Sequence, residues 1–386
     1  IKVKSSLQAL KDMALLYRNN LDIKVVGITG SVGKTSTKET ISYVLNKKYK
    51  VLKTEGNFNN EIGLPLTVFR LRDDDEVAVL EMGISDFGEM DRLSKIAQPD
   101  ISVITNIGLC HLENLKTRDG ILKAKTEIFN NMKPDGIAIL NGDDDKLITV
   151  DEVNGKKPER FGINYKDGVY AKDIENLGLS GTKFVISGLN CVDGCKDFEV
   201  TVPVPGHHMI YNALAAACVG AALELTSAQI ADGIADLKTI SGRNNIIKTS
   251  KYTLIDDCYN ANPVSMKASV DVLDMAIGRK VCILGNMYEL GENEKNLHYD
   301  VGQYIGTKNI DVLITIGDLA RHIAMGTDDY METHFGSYDC KIHSFDDMEE
   351  FNMAYSSILK DNDNILIKAS HAMKFADIVE LLSKDN

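Results

Sequence analysis

VVGITGSVGKTSTKET, residues 25–40, begins as an apolar β-branched run, passes through a glycine-rich turn and ends with helical spacing. Ile41, Val44 and Leu45 continue one apolar face of that helix. A strand, a glycine-rich turn and a helix in this order make a phosphate-binding loop, because backbone amides of the turn and of the helix N-terminus point at the anion. This places Gly30, Ser31, Val32, Gly33, Lys34, Thr35 and Ser36 against a nucleotide. Lys34 would reach the terminal phosphates, and the Thr35 hydroxyl would hold Mg2+. The usual spacing asks for glycine where Ile28 stands; the chain offers Gly27 and Gly30 instead. The alternative is a chance glycine-rich turn. The buried strand before Gly33-Lys34-Thr35 and the helix after it argue against that, and ATP is the expected ligand.

Outward from this loop, apolar runs alternate with helical stretches. Residues 23–29, 76–82, 101–107 and 136–141 read as buried strands, and a second block repeats the alternation with 252–257, 279–285, 311–317 and 363–370. Such alternation predicts an α/β protein with mostly parallel sheets covered by helices. Residues 5–20 read as a helix with Leu7, Leu10, Ala14 and Tyr17 on one face, and 212–225 as another. Residues 160–204, rich in Gly, Val and Thr, read as a small antiparallel insertion or edge. The polar segment KTISGRNN, 238–245, marks a domain boundary.

A formal net charge of −13 over 386 residues argues against a nucleic-acid partner. No apolar run approaches the length of a membrane span, and a cytoplasmic location and a monomer are expected. Seven cysteines, an odd number at scattered positions, suggest reduced thiols rather than a disulfide framework. The chain starts at Ile1 rather than Met, which reads as a fragment or a processed product.

In an open parallel sheet, ligands bind beyond the carboxyl ends of the strands. The strand at 76–82 delivers Glu81 there, and the strand at 101–107 delivers Asn106 and then His111. Each alone reads as an ordinary surface or core residue. Aimed together at a phosphate loop, Glu81 and His111 make a case for a metal site. The stretch 120–132 reads as a helix on which Lys125 shares the apolar face of Ile121 and Phe129. A lysine there either snorkels or is functional. The segment TEGNFNNEIGLPLT, 54–67, crowds three asparagines around Phe58 and reads as a turn or as a hand that holds a ligand.

GITGSVGKTSTKE, TEGNFNNEIGLPLT, LEMGISDFGEM, NIGLCHLENL, AKTEIF, DDCYNANPVSM and ILGNMYELG together resemble the Mur ligase family, from about residue 5 to about 380. The resemblance implies a central P-loop ATPase-like domain over 21–242 and a C-terminal Rossmann-like α/β domain over 243–386. Residues 1–20 would be a linker helix left from an absent N-terminal domain that binds a UDP-sugar. It implies an ATP-dependent amide ligase in cell-wall precursor synthesis, working through an acyl phosphate, and within the family the branch that adds D-alanyl-D-alanine to a UDP-muramoyl tripeptide. It further implies two Mg2+ ions, one held by Thr35 and Glu81 and the other by Glu81, His111 and a carbamylated Lys125, with Lys34, Lys125 and His111 as the catalytic set. Asn212 would face adenine, and Arg243 and Asp257 would contact nucleotide phosphate and ribose. Asn59 and Asn60 would contact the acceptor, and Asn260, Asn262 and Ser265 the incoming dipeptide; for each asparagine a plain Asx-turn is the alternative.

Three positions depart from the family pattern. Met209 follows His208 where Asn is usual, Asn286 stands where Asp is usual, and Ala369 replaces a Gly. The Asn286 change bears on the amine side of the chemistry. Competing readings are a Mur-superfamily ligase with another acid and amine, and a nucleotide-binding module without ligase activity. A simple P-loop NTPase or kinase is the weakest, because it leaves the amide-rich loops and Lys125 unexplained.

Overall fold

The structure is a computed structural model describing residues 2–335 and 340–384; Ile1 lies outside the described residues. Two compact units emerge. One comprises Ile1–Asn176, Thr182–Pro203 and His207–Leu237, and the other Leu177–Gly181, Val204–Gly206 and Lys238–Asn386.

The first unit is built on nine strands: β1 (Lys24–Thr29), β2 (Val51–Lys53), β3 (Val77–Glu81), β4 (Ile101–Ile104), β5 (Ile137–Asn141), β6 (Glu159–Gly162), β7 (Val169–Asn176), β8 (Thr182–Ser187) and β9 (Asp197–Val202). They lie in the order β2-β3-β1-β4-β5-β6-β7-β8-β9. Pairing is parallel from β2 to β7 and antiparallel from β7 to β9. The antiparallel segment expected over 160–204 therefore continues the main sheet, with β6 still parallel. β3 and β4 are buried along their whole length, which is why they read as mostly apolar runs without polar alternation: helices cover both faces.

Eight helices accompany these strands: α1 (Ser6–Asn19), α2 (Lys34–Leu45), α3 (Gly63–Val68), α4 (Glu89–Ala97), α5 (Leu112–Leu115), α6 (Arg118–Thr126), α7 (His208–Ala222) and α8 (Ser227–Ala235). α2 packs against α7 and α8, and α1 against α3 and α4. Ala14, Leu64, Leu93 and Ile121 share one core with Val25, Leu80 and Ile104 of the strands. Val26 and Ile28, equally buried, face the opposite side by the two-residue period of the strand.

Three sequence expectations change in extent. The strand at 101–107 stops at Ile104, so Thr105 and Asn106 belong to a loop. The helix at 120–132 becomes α6 followed by a 3-10 turn over Glu127–Phe129. The helix at 212–225 starts earlier, at His208, and ends at Ala222. Chain order reverses about β1, whose neighbours are β3 and β4. Its carboxyl end is thus the topological switch point, where α/β sheets bind ligands.

The second unit carries β10 (Asn245–Lys248), β11 (Thr253–Asp256), β12 (Lys280–Gly285), β13 (Val312–Ile316), β14 (Lys341–Phe345) and β15 (Asn364–Lys368). Their order is β10-β11-β15-β12-β13-β14. Only β10 runs antiparallel to its neighbour among these strands. α9 (Pro263–Asp274), α10 (Glu294–Gly306), α11 (Arg321–Phe335), α12 (Met348–Ile358) and α13 (Ala376–Lys384) alternate with them. The predicted α/β class with mostly parallel sheets holds for each unit. Among the described residues no helix is long and apolar enough to cross a membrane.

Candidate active site

β1 ends at Thr29, the loop spans 30–33, and α2 starts at Lys34. Gly30 has φ +154°, and a Cβ there would lie 1.9 Å from Thr105 Oγ1, so only glycine lets the loop pass so close to the end of β4. Asn106 clamps the loop from that side. Its Oδ1 accepts from Val32 N (3.0 Å), its Nδ2 donates to Val32 O (2.9 Å), and its backbone carbonyl accepts from Ser31 N (3.0 Å). Lys34 Nζ folds back to Gly30 O at 2.9 Å. The first amides of α2 have no acceptor within their own helix, which leaves them suited to an anion.

Glu81, the last residue of β3, lies opposite the loop and is 2% exposed. Thr35 Oγ1 donates to its Oε2 at 2.9 Å, and Asn59 Nδ2 donates to its Oε1 at 2.8 Å. The residue pair read from the sequence as one Mg2+ site is thus in direct contact. Among the described residues no three His, Cys, Asp or Glu side chains gather into a metal cage. Mg2+ suits such a place, because it prefers hard oxygen ligands and takes only one or two from protein, with substrate phosphates and water supplying the rest. A hydroxyl and a carboxylate beside a phosphate loop match that demand.

Lys125 is 1% exposed on the inner face of α6. Burial pushes its ammonium down to about 7, and the neighbouring Lys34 charge pushes the same way. Cys110 lies close enough to act in the opposite sense, and its Sγ is 3.2 Å from Ser31 Oγ. Ser31 Oγ also donates to Gly108 O at 3.0 Å. The segment after β4 therefore folds over the phosphate loop, and His111 follows one residue later with a left-handed φ of 49°.

The asparagines of 57–60 have different fates. Asn59 reaches Glu81, whereas Asn60 Oδ1 accepts from Ile62 N (3.1 Å) and Gly63 N (2.9 Å) and caps the start of α3. Glu61 holds the loop from behind. Its carboxylate pairs with Arg92 Nε (2.6 Å) and with Lys11 Nζ of α1 (2.7 Å), and these partners, Arg92 first, pull it down to about 2. On α7, Asn212 is buried, with Oδ1 accepting from Thr37 Oγ1 (2.9 Å) and Nδ2 directed at Met209 Sδ (3.2 Å).

In the second unit Asp257 follows β11 and is buried. Lys368 Nζ donates to its Oδ2 at 2.5 Å, Ser269 Oγ to the same oxygen at 2.5 Å, and Asn244 N to Oδ1 at 3.1 Å. Arg243 lies over the Tyr259 ring, 4.1 Å from its centre. Asn262 caps α9 through Ser265 N (2.8 Å), and Ser265 Oγ accepts from Asn262 N (3.0 Å). Asn260 is exposed; its Oδ1 accepts from Ala261 N at 2.9 Å, and its carbonyl accepts from Lys368 at 3.0 Å.

Sequence reasoning missed Lys38, which is buried beside Glu81, and Lys368, which neutralises Asp257. Lys38 stands three residues after Thr35 and so shares its helix face; that spacing was the available signal. For the caps the signal was Asn262-Pro263, an N-cap followed by proline at the first helical position. The departures from the family pattern find physical places. Met209 sulfur meets the Asn212 amide. Asn286 Oδ1 accepts from Ala320 N (2.8 Å), and its carbonyl accepts from Ser370 N (3.0 Å), so it ties three loops together. Ala369 is fully buried, its Cβ 2.7 Å from where a Cβ on Gly285 would lie.

Known proteins share this arrangement. Residues 28–220 match the Mur ligase middle domain, and residues 242–371 match the Mur ligase glutamate ligase domain. The UDP-N-acetylmuramoyl-tripeptide–D-alanyl-D-alanine ligase of Bacillus subtilis is 38% identical over 383 residues, covering 98% of this chain and 80% of the relative. The Escherichia coli enzyme of that name is 32% identical, covering 99% and 82%. Among solved structures, MurF from Acinetobacter baumannii superposes with a TM-score of 0.89 at 30% identity, covering 100% of this chain and 82% of that one. MurF ligase from Thermotoga maritima in complex with ADP gives 0.85 at 31%, covering 100% and 85%. With both domain models matched in order, and relatives this similar over nearly the whole chain, the protein belongs to the Mur ligase family.

Proposed function

We propose that this chain is an ATP-dependent amide ligase that joins the amine of D-alanyl-D-alanine to the free carboxylate of a UDP-N-acetylmuramoyl tripeptide, a step of peptidoglycan precursor synthesis. The observation that carries the reading is the contact of Thr35 with Glu81 at the mouth of the phosphate loop, with Lys125 buried near enough to Lys34 to feel its charge.

The reaction must bring an anionic carboxylate to an anionic triphosphate. Lys34 and the amides at the start of α2 bind and orient the phosphates, which offsets part of that repulsion. Thr35 and Glu81 would hold one Mg2+, and Glu81, His111 and Lys125 a second; the ions supply further charge neutralisation on the phosphate oxygens. The acceptor carboxylate attacks the γ-phosphorus as ADP leaves, giving an acyl phosphate. The dipeptide amine then attacks the acyl carbon, inorganic phosphate leaves, and the amine gives up its proton. Asn59 holds Glu81 in place beside the acceptor and adds no charge to a site already rich in anions.

Lys125 is carbamylated in this reading. A neutral amine is needed to add CO2, and burial beside Lys34 supports a neutral amine near pH 7. The carbamate is an oxygen donor, which suits Mg2+ where an ammonium would not. Asn212 serves adenine, Arg243 and Asp257 serve phosphate and ribose, and Asn260, Asn262 and Ser265 serve the dipeptide. Among these, Asp257 acts by way of Lys368, and Asn262 and Ser265 by shaping the start of α9. Asn60 acts by fixing the loop that carries Asn59.

The test is exchange of label between ADP and ATP. A tripeptide acceptor with phosphate and no dipeptide should support exchange through reversible acyl phosphate formation. Exchange that ignores the acceptor would contradict the mechanism.

A further inference from the structure

Lys38 is the most deeply buried lysine beside the phosphate loop that the proposed mechanism leaves unused. It is 1% exposed. Its Nζ donates to the Thr54 carbonyl at 2.7 Å, lies 3.2 Å from Glu39 Oε1 and 3.9 Å from Glu81 Oε2. Thr54, wholly buried, turns its Oγ1 the other way and accepts from the backbone N–H of Glu81 at 3.0 Å. Glu39 in turn pairs with Lys53 near the surface. A line of alternating charge thus runs from Lys53 through Glu39 and Lys38 to Glu81.

We propose that Lys38 is a positioning residue that, with Thr54, holds the Glu81 carboxylate ready for Mg2+. This rests on the reading of Glu81 as a magnesium ligand. Four features support it. A buried carboxylate needs a compensating cation or strong donors, and Lys38 is the cation nearest to Glu81 among the ion pairs of the described residues. At 3.9 Å the ammonium lies beyond hydrogen-bond reach of Oε2, so it offsets the charge of Glu81 without taking the lone pairs a metal needs. Glu39, closer to Lys38 than Glu81 is, offsets the ammonium's own repulsion toward an incoming cation. Thr54 then joins the side chain of Lys38 to the backbone of Glu81, so β3 and α2 cannot shift apart without breaking a hydrogen bond in a site closed to water. Groups that orient metal ligands in this way typically alter metal affinity by about 10–100-fold when removed.

The experiment measures ADP binding by calorimetry at stepped Mg2+ concentrations, and in EDTA, for the parent chain, Lys38→Met, Thr54→Val and Glu81→Gln. Thermal unfolding is recorded for each. The expected result is that Lys38→Met raises the Mg2+ needed for half-maximal enhancement of ADP binding by about ten-fold or more. Affinity in EDTA should stay within two-fold of the parent. If Lys38→Met does not fold, Thr54→Val carries the test, with an expected shift of at least three-fold. A shift for Glu81→Gln with none for the folded Lys38 or Thr54 variants would overturn the positioning role. A lowered unfolding temperature with unchanged Mg2+ dependence would do the same, since that is all a purely structural lysine would show. No change for Glu81→Gln would instead remove the magnesium reading itself.

Discussion

The Thr35 hydroxyl donates to Glu81 Oε2 across 2.9 Å, joining the first turn of α2 to the last residue of β3. These two residues are 46 apart in sequence and meet because β1 and β3 are neighbours in the sheet. In the proposed reaction both turn to the same Mg2+. Thr35→Ala and Glu81→Gln should each lower kcat/KM by at least about 100-fold, or ~2.7 kcal/mol of transition-state stabilisation. Steady-state kinetics at saturating Mg2+ check this. A loss under ten-fold for both would place the metal elsewhere.

The buried amine of Lys125 gives a pH and CO2 dependence. An ordinary lysine would be neutral in about one molecule in 3,000 at pH 7, whereas a pKa of about 7 leaves half of them neutral. Carbamate formation, and activity with it, should rise as pH increases through about 7 and fall below it. Purging CO2 should lower activity, and bicarbonate should restore it. Lys125→Gln should be inactive and indifferent to bicarbonate. A carbamate signal from labelled bicarbonate in carbon NMR reads the modification directly; its absence at pH 8 would refute it.

Glu61 links stability to acid. Its folded pKa of about 2 lies below the ordinary 4.5, so it contributes stability that is complete above about pH 4.5 and is lost as pH falls through about 2. Arg92 is largely open to solvent, and screening limits the gain to about 1 kcal/mol. Glu61→Gln should therefore be less stable than the parent by about that amount at pH 7, and the difference should shrink below pH 4. Denaturant unfolding at pH 7 and pH 3 tests it. An equal difference at both would show that the pair contributes through packing rather than charge.

Gly63 supports the Asn59 loop by close packing. A Cβ there would lie 2.3 Å from Phe58 Cα and 2.5 Å from its carbonyl carbon, both backbone atoms. Gly63→Ala should cost about 1–3 kcal/mol of stability and also raise KM for the acceptor, because the displaced backbone carries Asn59. Unfolding and acceptor titrations measure the two effects. Unchanged values for both would mean the loop is free to move.

Much of this was legible in the chain. VVGITGSVGKTSTKET announces strand, loop and helix because each part has its own periodicity, and strands buried on both faces leave apolar runs such as the VAVL of residues 77–80. Glu81 was found at the carboxyl end of a strand beside the phosphate loop, and Lys125 as a lysine on an apolar helix face. What stayed hidden depends on direction within a turn. Asn59 and Asn60 are identical in composition and adjacent in sequence, yet one reaches Glu81 and the other caps α3, as the fold of residues 57–63 alone decides. Lys38, in the polar run TSTKET, looks like a solvated lysine; its burial follows from the packing of α2 against β3. The end of β4 was overestimated because Ile107 continues the apolar pattern past the point where Asn106 turns to clamp Val32.

The most direct test of the central claim is product formation. The chain is supplied with Mg-ATP, UDP-N-acetylmuramoyl tripeptide and D-alanyl-D-alanine, and phosphate release and product mass are followed together. The account predicts phosphate release that requires both substrates, with one dipeptide joined per phosphate released. Phosphate release that is the same without the dipeptide, or with no joined product, would contradict it.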